Sequence, residues 1–282
     1  MEKEQNYMIT DTLFSQNVLW ALAMAAAIGA AGGLIGSLML TKRMALMGGA
    51  LGHLAMPGVA LGLLYGFDMS LGAFAFVLVG IFFIWLLESK TKLPFDATTA
   101  IVFPTFMAIS FLFLPHEETH VALLGDISNV TWQIALVNII LSIVVFVLIR
   151  IIYYKMVLIG ISQEMARVNR VPIKLYVFLY LLCIAAVVAL GVRIVGGLMT
   201  ASLVAIPAAT SRNLSGTVKQ YRFVSGLFGC LSCVLGVIVA TAAKIPIGSS
   251  IILASTLFFV ISLAVKKIWK FNDVYEGFKS YF

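Results

Sequence analysis

The chain has 282 residues, of which 62% are hydrophobic and only 11% charged, and its formal net charge is +7. A water-soluble domain carries roughly 25% charged residues, so this composition excludes a soluble globular protein and indicates a membrane protein. No connection between the apolar segments is long enough for a separate catalytic domain, which would need roughly 50 residues.

Apolar runs follow one another along the chain, most of them near the roughly 20 residues that a helix needs to cross a bilayer. They predict an all-α fold, a polytopic membrane bundle of about nine transmembrane helices, with eight as the alternative count. We expect residues 1–17 to form an external N-terminal segment, residues 18–266 the transmembrane domain and residues 267–282 a cytoplasmic tail. The predicted helices cover 18–40, 44–66, 70–87, 98–115, 131–152, 173–191, 194–211, 222–242 and 247–265.

The basic residues set the orientation, because Lys and Arg near helix ends stay in the cytoplasm. With a cytoplasmic C-terminus, 16 of the 19 basic residues lie inside, and only Lys3, Arg193 and Lys244 lie outside. The sequence therefore predicts an external N-terminus and a cytoplasmic C-terminus. This topology accounts for the positive charge, so no nucleic-acid partner is expected. The inside residues are Lys42, Arg43, Lys90, Lys92, Arg150, Lys155, Arg167, Arg170, Lys174, Arg212, Lys219, Arg222, Lys266, Lys267, Lys270 and Lys279.

The second predicted helix has features typical of a transport path. His53 lies at membrane depth, where an ionisable side chain is costly and by default faces the bundle interior. Pro57 follows one turn later and Pro207 interrupts the seventh helix, and each proline frees the carbonyl one turn before it. Such breaks are tolerated where protein or a water-filled cavity satisfies the freed group. His53 is therefore a candidate metal or pathway residue; the alternative is a neutral histidine that only packs.

An external loop holds His116, Glu117, Glu118 and His120 in the pattern of a zinc protease motif. Catalysis by that motif needs a helix that brings both imidazoles to one face, a third ligand and a cleft. Here the pattern follows Pro115 and lacks amphipathic periodicity, so we expect no proteolysis. Imidazole and carboxylate groups suit zinc or manganese, which makes the four residues weaker candidates for loose metal contact. The alternative is a solvated loop.

The connection after the fifth predicted helix is expected to contain a short cytoplasmic helix. Ser162 can cap its first turn, Glu164 lies in that turn, and Pro172 stops the helix. A short amphipathic helix outside the membrane is a docking element in many transport proteins; the alternative is an interfacial turn of no special purpose. The docking candidates are Ser162, Gln163, Glu164, Met165, Ala166, Arg167 and Arg170.

Five stretches of the chain carry a resemblance to a known family, namely Met44 to Gly62, Leu123 to Ile127, Glu164 to Arg167, Val195 to Thr210 and Ile245 to Gly248. Together, and in this order, they resemble motifs of permeases in the zinc, manganese and iron group of ATP-binding cassette importers. The first resembles the signature that follows the first helix of that family, the second its short external motif, and the third the start of its cytoplasmic coupling helix. The fourth is similar to its most recognisable late segment and the fifth to its last external turn.

The resemblance implies a homodimeric permease of a prokaryotic plasma membrane, whose two copies enclose a translocation path for a divalent metal. It also implies partner ABC ATPase subunits, which use the ATP, and an extracytoplasmic metal-binding protein. This chain would then be a transport subunit and not an enzyme, with no permanently bound cofactor. The family usually carries Asp and Ser where this chain has Gly49 and Gly52, so Asp126 of the external motif becomes a second candidate metal ligand.

Three alternatives remain open from the residues. An intramembrane enzyme would need several polar residues that meet at one depth, and the predicted helices offer few. A carrier that does not use ATP would need a proton-relay carboxylate inside a helix, whereas all 12 acidic residues lie at or beyond predicted helix ends. A permease for a metal chelate would need fewer protein ligands than a permease for a free ion.

Overall fold

The computed structural model describes residues 16–42, 44–91, 93–113, 131–196 and 200–279. Over these residues the chain forms ten helices and no strand, which confirms the predicted all-α fold. In chain order the helices are α1 Gln16–Thr41, α2 Ala45–Tyr65, α3 Met69–Thr91, α4 Phe95–Phe113, α5 Trp132–Ile161, α6 Gln163–Val168, α7 Ile173–Val195, α8 Thr200–Leu214, α9 Val218–Ala243 and α10 Ile247–Lys279.

Nine of these helices coincide with the nine predicted apolar segments, and the tenth is the short helix α6. Within the described residues, six helices are long and apolar enough to cross a membrane by themselves: α1, α3, α5, α7, α9 and α10. Helix α8 has 15 residues. At 1.5 Å per residue it is about 22 Å long, less than the roughly 30 Å of a hydrocarbon core. The bundle therefore combines full-length helices with shorter or interrupted ones.

Several helix ends differ from the sequence-based bounds. Helix α5 continues to Ile161, nine residues beyond the predicted end at 152, and α10 continues to Lys279. The α10 extension contains charged residues such as Lys270 and Glu276, which can continue a helix into water, whereas the α5 extension over 153–161 is itself apolar apart from Lys155. Helix α7 ends at Gly196, whose φ of 83° lies in the left-handed region that favours glycine. The division into an external segment, a transmembrane domain and a tail remains a prediction.

Helix α1 occupies the centre of the bundle, where it packs against α5, α7, α8 and α9. Its glycines permit close approach, because a side chain at Gly29 or Gly33 would overlap the α9 backbone. The Ser225 hydroxyl of α9 donates a hydrogen bond to the Gly33 carbonyl oxygen. On another side, a side chain at Gly36 would overlap the Val204 carbonyl oxygen of α8. Backbone contact on these faces holds α8 and α9 against α1.

The two ends of the bundle agree with the predicted alternation of helix directions. One cavity brings together Asp68 before α3, Gln133 near the start of α5 and Leu190 near the end of α7. A different cavity brings together Lys42 after α1 and Glu88 near the end of α3. The end of the bundle that holds the Lys42 cavity carries basic residues that the sequence assigns to the cytoplasm.

Candidate functional site

His53 lies in the middle of α2, and its side chain is partly exposed. Its Nδ1 atom is buried and has no hydrogen-bond partner among the described residues. Pro57 lies inside the same helix and is buried. Because proline has no N–H, the His53 carbonyl loses the partner that it would have in a regular helix. One residue therefore presents both an imidazole nitrogen and a backbone oxygen that helix α2 itself does not satisfy.

Helix α4 supplies the nearest aromatic neighbour of His53. The ring centroids of His53 and Phe103 are 5.1 Å apart, with an angle of 36° between the rings. Short connections join α2 to α3 and α3 to α4, and α3 packs on both neighbours. Helices α2 and α4 consequently run in the same direction, and their contact places Phe103 at the level of His53.

Thr99 lies on α4 one helical turn before Phe103. Its side chain is 1% exposed, and its Oγ1 atom has no hydrogen-bond partner in the described part of the chain. It precedes Phe103 by four residues on α4, just as Gly49 precedes His53 by four residues on α2, so Thr99 and Gly49 lie at about the same depth. Asp96, in the first turn of α4, lies on the same helix face. Sequence reasoning missed Thr99, because only the pairing of α2 with α4 relates it to His53.

Three helices of this region contain an internal proline. Pro57 lies in α2, Pro207 in α8 and Pro104 in α4. Helix α2 packs against both α4 and α8, so the two prolines singled out from the sequence lie in neighbouring helices. Pro104, which sequence reasoning did not single out, follows Phe103 directly and is exposed. The interrupted helices thus form one group around α2 instead of being scattered through the bundle.

The predicted short helix is confirmed as α6. The Ser162 side chain accepts a hydrogen bond from the Met165 backbone N–H at 3.2 Å and so caps the first turn. Glu164 lies in the first turn and Arg167 in the last, as the helix dipole favours. Ala166 is buried, whereas the other five residues of α6 are exposed.

The exposed face of α6 is more apolar than its charges suggest. Met165 is 56% exposed and Val168 is 83% exposed. Arg170 follows the helix with a φ of 53°, which turns the chain toward α7. An exposed apolar pair flanked by charges is the composition of a protein docking surface, with an apolar centre and a polar rim.

The remaining sequence candidates, His116, Glu117, Glu118, His120 and Asp126, lie outside the described residues. Among the residues that are described, no three His, Cys, Asp or Glu side chains come close enough to form a metal site. Among the described residues of α2, the His53 imidazole and the backbone oxygen freed by Pro57 stay candidate ligands. Imidazole combined with oxygen donors suits manganese, zinc or ferrous iron.

Comparison with known proteins matches most of the chain to one family. The profile of the ABC 3 transport family matches residues 15–266. The chain is 28% identical over 257 residues to the manganese import system permease protein ScaB of Streptococcus parasanguinis, covering 89% of this chain and 90% of that protein. It is 27% identical over 251 residues to a Haemophilus influenzae protein named "Probable iron transport system membrane protein", covering 87% of this chain and 88% of that protein. Its fold resembles PsaBC from Streptococcus pneumoniae, solved in complex with a Fab, with a TM-score of 0.78, 25% identity, and coverage of 91% and 94% of the two chains.

Proposed function

Because the chain belongs to the ABC 3 transport family, we propose that it is the permease subunit of an ABC importer that carries a divalent transition metal into the cytoplasm. The protein is a multi-pass protein of the plasma membrane. The observation that carries the proposal is the family match over nearly the whole bundle. Manganese is the first candidate substrate, because ScaB is named for manganese import, and zinc and ferrous iron follow.

The proposed path runs along α2 and α4. His53 supplies a nitrogen ligand, and the Thr99 hydroxyl lies about one turn toward the cytoplasm. Because His53 is partly exposed in the single chain, a second copy facing α2 would close the path around it. The homodimer that the sequence motifs imply is therefore part of this proposal. Asp126 and the four external His and Glu residues stay candidate ligands at the entrance.

The transport cycle needs partners on both sides of the membrane. An ABC importer permease works with ATPase subunits and a substrate-binding protein. We assign ATP hydrolysis to the separate ATPase, which would dock on α6, and metal delivery to an extracytoplasmic metal-binding protein. The permease then contributes the path and the coupling surface, without a permanently bound cofactor.

Uptake by the reconstituted complex tests this function. We expect vesicles that contain the chain and its cognate ATPase to accumulate manganese when ATP and the metal-binding protein are both supplied. The measurement compares radioactive manganese, zinc, ferrous iron and chelated iron. Accumulation without ATP would indicate a carrier instead, and accumulation of chelated iron alone would indicate a chelate permease.

Replacement of Gly49 by aspartate should tighten the metal site. Residues 49 and 53 lie one turn apart on the same face of α2, so the new carboxylate would lie beside the His53 imidazole. In a poorly screened cavity a carboxylate attracts a divalent cation strongly, and we expect KM for the transported metal to fall roughly tenfold while kcat also falls.

The matched control is Gly216→Asp, which adds the same charge in an exposed cytoplasmic connection, where an added Cβ would make only an ordinary contact with Gln220 Oε1 at 3.8 Å. This control should leave both kinetic constants unchanged. An unchanged KM in Gly49→Asp would show that the cation does not pass this face of α2.

A further inference from the structure

A cavity of about 1050 Å³ lies at the cytoplasmic end of the bundle, between the ends of α1, α3 and α5 and the start of α7. Helix α6, the proposed docking helix, forms part of its wall. The function proposed above makes no use of this cavity. The lining residues that matter here are Lys42, Trp85, Glu88, Arg167 and Lys174.

Positive charge exceeds negative charge in this cavity. Three basic side chains, Lys42, Arg167 and Lys174, line it together with the single carboxylate of Glu88 among the described lining residues. Lys42 is the most enclosed of the three, because the others are exposed. The cavity thus has a net positive lining that is suited to an anion.

Among the residues that the structure describes, Lys42 has no carboxylate in direct contact with its ammonium group. Its Nζ atom lies 3.9 Å from the Met156 sulfur and 5.8 Å from the centre of the Tyr180 ring. Burial lowers the pKa of Lys42 to about 8, and the charge of Glu88 only partly opposes this effect. An ammonium group held in this environment would be stabilised by an anion that enters the cavity.

Aromatic side chains form the α3 side of the cavity wall, and the same aromatic cluster reaches the outer surface of the bundle. Trp85 lines the cavity, and its ring centroid lies 6.2 Å from that of Phe178 and 6.4 Å from that of Phe82. Phe82 and Phe178 are 50% and 40% exposed. Tryptophan is enriched where membrane proteins meet the lipid head groups. A basic cavity therefore borders directly on an apolar surface that faces away from the bundle.

We propose that this cavity binds the phosphate head group of an anionic phospholipid from the cytoplasmic leaflet. The head group contacts Lys42, Arg167 and Lys174, and the acyl chains lie along Phe82 and Phe178. A basic pocket next to an apolar wall fits both parts of such a lipid, whereas a soluble ATPase subunit would gain nothing from the exposed aromatic wall. Since Arg167 belongs to α6, a bound lipid would also restrict the movement of the docking helix.

The inference depends only on the membrane location of the chain, so its test does not need transport. The full-length protein is purified from vesicles that contain equal amounts of phosphatidylglycerol and phosphatidylcholine, and native mass spectrometry counts the lipids that stay bound. We expect the wild-type protein to retain phosphatidylglycerol in preference to phosphatidylcholine. The double variant Lys42→Gln, Lys174→Gln should retain roughly thirtyfold less, because each basic residue near an anionic lipid contributes roughly a fivefold factor.

The matched control, Lys219→Gln with Lys267→Gln, removes two exposed basic residues that do not line the cavity. It should retain phosphatidylglycerol as the wild type does. The charge-conserving variant Lys42→Arg, Lys174→Arg should also retain it, which would separate a loss of charge from a loss of folding. The proposal would be overturned if the Gln variant retained phosphatidylglycerol as the wild type does. It would also be overturned if the control variant lost as much phosphatidylglycerol as the Gln variant.

A labelling experiment on the wild-type protein distinguishes the sources of the anion. Phosphatidylglycerol vesicles should protect Lys42 and Lys174 from an amine-reactive reagent, compared with phosphatidylcholine vesicles. Full protection by millimolar inorganic phosphate alone would identify a free-anion site and contradict the lipid. Protection in phosphatidylcholine only after addition of the ATPase subunit would identify that protein as the occupant and would likewise contradict the proposal.

Discussion

The variant His53→Ala is expected to lose nearly all ATP-dependent metal uptake. The imidazole of His53 is partly exposed beside Phe103, and its Nδ1 atom has no hydrogen-bond partner among the described residues. Loss of a group that only orients a metal ligand already costs roughly 10- to 100-fold, so loss of the ligand itself should lower uptake at least roughly 100-fold. The measurement is initial uptake by the reconstituted complex for each metal of the panel.

The control for this variant is Phe103→Leu. It alters the packing around His53 without removing a ligand atom, and it should leave the uptake within a few-fold of the wild type. ATP hydrolysis without metal is measured in both variants to show that the complex is assembled. Wild-type uptake in His53→Ala would identify His53 as a packing residue, and equal losses in both variants would point to packing as well.

The double variant Met165→Asp, Val168→Asp should release the ATPase from the permease. Both side chains are more than half exposed on α6, although they are apolar, and Ser162 and Ala166 hold the helix that presents them. Burial of one such side chain contributes roughly 1.5 to 3 kcal/mol, so loss of two should weaken the association at least roughly 100-fold. Binding of the purified ATPase to the reconstituted permease measures this directly.

A second variant tests the charges on the same helix. Reversal at Glu164 and Arg167 is expected to reduce ATPase binding less than the apolar substitutions do, because exposed ion pairs each contribute roughly 0 to 1 kcal/mol. The control, Gly216→Asp with Val218→Asp, adds two carboxylates at exposed positions, one in the connection before α9 and one at its first residue, and should bind the ATPase normally. Unchanged binding in the Met165 and Val168 variant would show that α6 is not the coupling helix.

The helices of this fold could largely be predicted from the sequence, because they depend on the lipid environment and on residues close together in the chain. Lipid requires that every backbone polar group be satisfied inside a helix, so each apolar run of sufficient length could be predicted as helical. The distribution of Lys and Arg predicted which helix ends share a side of the membrane. Ser162 and Glu164 predicted the start of α6 because capping depends on neighbours in sequence, whereas the predicted stop at Pro172 was wrong: α6 ends at Val168, and Pro172 directly precedes α7. His53 and Pro57 could be paired for the same reason, since they lie one turn apart.

The tertiary structure decided what the sequence left open, namely which helices meet and at which depth. The position of Thr99 near His53 follows from the packing of Phe103 on α2, and no local pattern encodes that contact. Likewise, the cavity around Lys42 joins helices that are far apart in the chain. Such contacts depend on the shapes of whole helix faces, here the glycine face of α1 and the interrupted helices around α2. Composition and spacing therefore determined that the chain is a helical membrane protein, whereas packing between distant helices determined where its candidate path and its basic cavity lie.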